Sequence, residues 1–179
     1  LIRGYKNFDE EDLIMISDID EIPDPKKIKQ FDVKNKYACF LQKNFQSKIN
    51  LLNITDENWV GTKICQKKNL KSPQWLRNLK IKKRSFWNIF RDKQPQLILN
   101  GGWHFSFLKD AESIRSKIIS YSHQEYNTEE FTNIDNIEKQ ILKGEDLFKR
   151  EIKYKVVNLD DTFPNYIFKN KEKFKNWLI

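Results

Sequence analysis

The stretch IMISDIDEIPDP, residues 14–25, gathers three carboxylates, Asp18, Asp20 and Glu21, into four residues at the end of an apolar run. Like charges this close repel, and folding alone gives little reason to place them together. A bound cation resolves the conflict. Alternate side chains of an extended segment share a face, so Asp18 and Asp20 can reach one ion. Mg2+ and Mn2+ are hard cations that favour oxygen ligands and grip phosphate groups at the same time. Pro23 and Pro25 bar the strand from continuing and fix the backbone after the carboxylates.

Two chemistries share this feature. In a glycosyltransferase a D-x-D triplet holds a divalent ion against a nucleotide-sugar diphosphate. In an aspartate-nucleophile phosphatase the first Asp attacks phosphorus and the second acts as acid. VVNLDD, which ends in Asp160 and Asp161, gives the phosphatase a later acidic strand end. Against it, Ile22 stands where that chemistry usually has a small hydroxyl residue. A third class, a non-catalytic basic module that binds glycan or nucleic acid, needs no metal.

NGGWHFSFL, residues 100–108, favours the transferase. Gly101 and Gly102 let the backbone turn or approach a ligand closely. Trp103 offers a flat face to a sugar or base. His104 can be a neutral imidazole ligand for the same cation. The plain alternatives are a structural histidine and a tryptophan that only packs.

Five blocks then occur in order: DLIMISDIDEIP, GGWHFSFL, KIISYSHQEYN, ILKGEDLF and LDDTFPNYIFKNKEKF. Together they resemble glycosyltransferase family 17, the family of the β-1,4-mannosyl-glycoprotein β-1,4-N-acetylglucosaminyltransferase. The resemblance runs over most of the chain and is weakest through the Lys-rich middle. It implies a GT-A-like α/β fold, a nucleotide-sugar donor (UDP-N-acetylglucosamine), a glycan acceptor, Mn2+ or Mg2+, and inversion at the anomeric carbon. It makes Asp18 and Asp20 the metal pair, and His104 is the residue expected to complete the coordination. Inversion needs a base for the acceptor hydroxyl. Glu125 in SHQEYN is the first candidate and Glu21 the second. His123 would orient Glu125 or cap a helix end. Asp146 in GEDLF is a candidate acceptor contact. Lys43, Arg77 and Arg84 are candidates to assist the diphosphate, beside Gly101, Gly102 and Trp103. In GT-A enzymes uridine-binding strands precede the D-x-D, whereas here only 17 residues do. The expectation is a shortened or partial member lacking some of those strands.

The elements that must position these groups are legible in outline. Residues 12–17 read as a short interior strand of an α/β sheet. KYACFLQKNFQ, KINLLN and NWVGTKICQ read as strands, and PQLILNGGWHFSFL as two strands around a Gly-Gly break. Pro25 opens a short helix. Asp110 caps a helix bearing Ile114, Ile118 and Tyr121 on one face. Thr132 and Asp135 stand at capping-box-like spacing before a helix with Ile134, Ile137 and Ile141 inward and Gly144 as its stop. A last helical segment starts near Pro164, and residues 67–95 read as irregular.

The chain has 179 residues, 39% hydrophobic and 32% charged, with five Gly and five Pro, which predicts one domain over 1–179 without long linkers. No stretch approaches the ~20 apolar residues of a membrane span. Cys39 and Cys65 lack any motif spacing and are expected to be reduced, in a cytoplasmic protein with no leader. The net charge of +8 suits an anionic partner. The densest basic patch, KIKKRSFWNIFR at 80–91, interleaves aromatics. No nucleic-acid module accompanies it, so nucleic acid is not an expected partner.

Overall fold

The computed structural model describes residues 4, 7–81, 95–120 and 124–179. Arg84, Tyr121, His123 and most of the basic stretch at 80–91 lie outside the described residues. In chain order the strands are β1 Leu13–Ile16, β2 Glu21–Pro23, β3 Tyr37–Gln46, β4 Leu51–Asn53, β5 Asn58–Gln66, β6 Gln96–Ile98, β7 Gly102–Ser106 and β8 Tyr154–Val156. The helices are α1 Pro25–Ile28, α2 Pro73–Arg77, α3 Ala111–Ser120, α4 Glu129–Thr132, α5 Ile134–Lys143 and α6 Asn165–Lys169. The fold is mixed α/β.

Two compact units make up the chain. The first comprises Leu1–Lys43 and Asn58–His104, the second Asn44–Glu57 and Phe105–Ile179. Neither is continuous in sequence.

In the first unit β5 is flanked by β1 and β3, both antiparallel to it. β3 takes β6 as a parallel neighbour, and β2 pairs antiparallel with β7. The expected interior placement of β1 is corrected. Among the described residues its strand partner is β5 alone, so it ends the sheet, and Leu13 is 43% exposed. The run LIMI is apolar for another reason. Ile14 is buried against Cys65 and Leu76, with Ile16 packed beside them, because α2 covers this face.

α2 itself interrupts the stretch expected to be irregular. Ser72 caps it, accepting from the Trp75 N–H at 3.1 Å, and Pro73 sits in its first turn. It places Leu76 fully inside and leaves Arg77 outside. The other core cluster of this unit joins Phe31, Ala38, Phe40, Ile64 and Ile98. Cys39 and Cys65 are free and buried, and burial pushes both thiols up to about 11. Such thiols are poor nucleophiles at neutral pH.

In the second unit β4 pairs with β3 at Phe45 and Leu52, and with β8 on its other side. Phe45 stacks on Phe105 with centroids 5.4 Å apart and leans on Phe163. α3 and α5 bury Ala111, Ile114, Ile118, Ile137 and Ile141 against Leu147 and Phe148. Asp110 accepts from the Ser113 N–H at 2.7 Å, as a cap should. The cap of α5 is Asn133, accepting from Asn136 N–H, whereas the Thr132 hydroxyl donates to the Thr128 carbonyl. The chain reaches α5 through the one-turn α4, and that turn takes Thr132 out of the capping position. Gly144 stops α5 in the left-handed conformation, φ 65° and ψ 33°. No helix among the described residues is long and apolar enough to cross a membrane.

Candidate active site

The acidic turn follows β1 directly. Its backbone is closed by two reciprocal bonds: Glu21 N–H donates to the Asp18 carbonyl at 3.1 Å, and Asp18 N–H donates to Glu21 Oε2 at 3.1 Å. The turn throws Ile19 fully into solvent and turns Glu21 inward, where it is 8% exposed. Glu21 Oε1 accepts from Trp59 Nε1 at 2.8 Å. Both oxygens of this carboxylate are thus taken by the protein, and Glu21 works as a strut between β1, β2 and β5.

Asp18 has a different partner. Arg77, at the end of α2, grips it with a two-pronged guanidinium: Nε to Oδ1 at 2.6 Å and a terminal nitrogen to Oδ2 at 2.8 Å. These hydrogen bonds hold the Asp18 carboxyl below its ordinary value, against desolvation and the neighbouring Asp20 charge; Lys63 adds a small pull in the same direction. Asp20 turns to His104, whose Nε2 lies 3.6 Å from Asp20 Oδ2. His104 reaches this position because β7 pairs with β2, setting His104 opposite Glu21 and Trp103 opposite Ile22. Trp59 lies flat on the imidazole, centroids 4.3 Å apart and planes 10° from parallel. The protein itself therefore offsets part of the mutual repulsion that the sequence raises. A guanidinium serves Asp18, an imidazole stands beside Asp20, and two N–H groups serve Glu21.

Beside this turn opens a cleft of about 440 Å3, lined by Asp18, Glu21, Trp59, Lys63, Arg77 and Lys80 among others. That size suits a small ligand rather than a macromolecule. In the strands that carry the turn and Lys63, the Ser17 and Thr62 hydroxyls meet at 2.6 Å, and the buried Gln42 donates to Thr62 Oγ1 at 3.1 Å.

Of the residues chosen from sequence, Asp18, Glu21 and Arg77 line this cleft, and Asp20 and His104 lie beside the same turn without lining it. Gly101, Gly102, Trp103 and Lys43 belong to the same unit, but none lines the cleft. The close approach at the glycines is internal. A Cβ on Gly101 would lie 2.7 Å from the Phe40 Cβ, and one on Gly102, with φ +141°, 2.1 Å from the Ile22 carbonyl. Trp103 is 8% exposed. Lys43 is half-buried opposite Asn58.

Glu125 and Asp146 are in the second unit. Glu125 is exposed on a single 3-10 turn, Gln124–Tyr126. Asp146 is buried, and its oxygens accept from Phe148 N–H, Arg150 N–H, the Arg150 guanidinium and the Tyr154 hydroxyl. Burial alone would raise its carboxyl, but the Arg150 hydrogen bonds outweigh that and hold it low. Burial and the Asp146 charge drive the Tyr154 phenol the other way, upward. Asp146 ties the loop after α5 to β8, a structural task.

Trp59 and Lys63 are the residues of the cleft that sequence reasoning passed over. Little in the sequence signals them: in NWVGTKICQ the lysine stands beside Thr62 in a strand of mixed polarity, and the register shift between Val60 and Lys63 breaks the alternation that would relate it to Trp59.

Among the described residues no three of His, Cys, Asp and Glu converge on one point. Asp18 and Asp20 are the carboxylates that could hold a cation here, in an open site of the kind completed by phosphate oxygens and water.

No curated protein and no solved structure matches the chain. The family model of glycosyltransferase family 17 matches residues 1–178, essentially the whole sequence. With that match spanning both units and the acidic turn, the chain belongs to glycosyltransferase family 17 and is a glycosyltransferase.

Proposed function

We propose that the cleft beside Asp18 and Trp59 receives a nucleotide-sugar donor. On this reading the chain carries out metal-dependent, inverting transfer of N-acetylglucosamine from UDP-N-acetylglucosamine to a glycan acceptor, on a GT-A-like framework in the cytoplasm. One observation carries it: an acidic turn and basic side chains meet at a single cleft in a chain of a glycosyltransferase family. Asp18 and Asp20 would hold Mn2+ or Mg2+, with His104 beside Asp20. When bound, such an ion stabilises negative charge on the leaving nucleotide.

The remaining chemistry belongs to side chains. Arg77 presents a planar fork that matches a phosphate as well as it matches the Asp18 carboxylate. Trp59 holds the His104 ring and, through Glu21, the turn that carries both aspartates. Because both Glu21 oxygens are occupied, Glu21 positions the turn and Glu125 is the proposed base. That assignment rests on the family resemblance of the SHQEYN block.

A panel of nucleotide sugars, each with Mn2+ and with a chelator, tests the reading. UDP-N-acetylglucosamine should turn over only with the metal and bind more tightly with it. Asp20→Ala should weaken metal-dependent donor binding at least about tenfold, which is roughly 1.4 kcal/mol of lost binding free energy. Unchanged binding by the variant overturns the metal assignment.

A further inference from the structure

The least explained group in the first unit is Lys63. It lies on β5, opposite Ile16 of β1 and Cys39 of β3, so its strand is flanked on both sides. The residue is only 9% exposed. An ammonium in such a place is costly unless it is served. Its one hydrogen bond to a described residue is to the Val60 carbonyl, at 3.2 Å. No carboxylate of the described residues stands within ion-pair distance of it. Asp18 feels its charge, but both Asp18 oxygens belong to Arg77. The nearby Glu21 carboxylate is likewise committed, to Trp59 and the Asp18 N–H. Lys63 lines the cleft together with Arg77 and Lys80.

We infer that this wall of the cleft is a diphosphate cradle, in which Lys63 is the fixed cation and Arg77 the exchangeable one. This rests on the reading of the cleft as the donor site and names the residues that take its anion. The two cations differ in kind. Lys63 emerges from the middle of a strand held on both sides, so its charge is placed before any ligand arrives. Arg77 ends a five-residue helix, is half exposed, and already grips a carboxylate in the geometry a phosphate would take. An anion that draws Arg77 across leaves Asp18 open to a cation. Lys80, also lining the cleft, adds a third positive charge on this side. Two phosphoryl groups suit such a wall better than one, since each can meet its own cation.

The probe is inorganic pyrophosphate, titrated by calorimetry into the whole protein with a chelator present, so that no divalent ion contributes. The wild type should bind it more tightly than inorganic phosphate. Lys63→Met should weaken it about tenfold or more, as expected for loss of a charge-assisted partner. Arg77→Gln should weaken it several-fold, and Lys63→Arg should restore most of the affinity. Near-ultraviolet circular dichroism reports whether each variant is folded. If Lys63→Met is not, the exposed Arg77→Gln decides. Wild-type binding weaker than about 10 mM, or equal affinity in the folded variants, overturns the cradle.

Donor binding is measured on the same samples. Turnover of a nucleotide sugar with pyrophosphate affinity unchanged in Lys63→Met sinks the cradle and leaves the donor reading standing. Loss of pyrophosphate affinity in a protein that binds no nucleotide sugar supports the cradle and sinks the donor reading.

Discussion

Asp18 answers to two claims. In the structure it belongs to Arg77, and in the proposed chemistry it belongs to a cation. The ion pair leaves a titration signature that can be read directly. The Arg77 hydrogen bonds lower the folded-state pKa of Asp18 below its ordinary value of 3.8. A depressed carboxylate contributes stability that is present above the unfolded value and lost as pH falls through the lower, folded one. The window is therefore acidic, below pH ~4, and the contribution is small because the pair is well exposed and screened by salt. In Arg77→Gln the Asp18 midpoint, followed by carboxylate NMR, should move up toward the ordinary value. An unmoved midpoint would mean that the two-pronged contact does not form in solution. Glu125 makes a sharper claim. Glu125→Gln should reduce transfer at least about a hundredfold, the usual scale of a lost general base, while donor affinity stays within twofold. Loss of both, or of neither, removes it as the base.

Elements decide what these residues can reach. β2 and β7 pair over three residues only, yet that pairing puts His104 opposite Glu21. It depends on Gly102, whose φ of +141° and 2.1 Å Cβ approach to the Ile22 carbonyl leave no room for a side chain. Gly102→Ala should therefore cost roughly 1–3 kcal/mol in strain alone, read by urea denaturation, and should dislodge His104 from Trp59. A variant of wild-type stability would show that β7 can shift without loss.

Here the limits of sequence reading become concrete. Strand identity was legible in KYACFLQKNFQ and NWVGTKICQ, where apolar runs are bounded by polar ones, and the Gly144 stop was legible from its type. Pairing was not. An apolar run such as LIMI reads the same whether a second strand or a helix covers it, so β1 reads as an interior strand. His104 and Glu21 are 83 residues apart, and no local pattern reports that they are opposite. The same distance hid the partners of the acidic cluster. A cation is the natural answer to its repulsion, because the guanidinium, imidazole and indole that serve these carboxylates come from three other elements. Lys63 passed as one lysine among many, since only burial sets it apart.

At the scale of the whole molecule the charge of +8 becomes an experimental variable. It acts on an anionic donor at a distance, whereas the cleft acts on contact. The charged side chains that line the cleft nearly balance: Lys63, Arg77 and Lys80 carry three positive charges, Asp18 and Glu21 two negative, leaving one positive. Long-range attraction is thus a property of the surface as a whole, and holding the ligand is a property of a few paired groups. Salt separates the two. Exposed charges are screened beyond the Debye length, about 10 Å at 0.1 M, while partly buried contacts are screened much less. Stopped-flow mixing with UDP, followed by tryptophan fluorescence since Trp59 lines the cleft, measures both rates. Between about 0.02 and 0.3 M salt the association rate should fall several-fold, as for other steered encounters. The dissociation rate should change less than about twofold, because the contacts that hold the ligand are short and shielded. If dissociation carries the salt effect instead, the diphosphate is held at the exposed surface and not in the cleft. If neither rate responds, the excess of lysine has no part in capturing the donor.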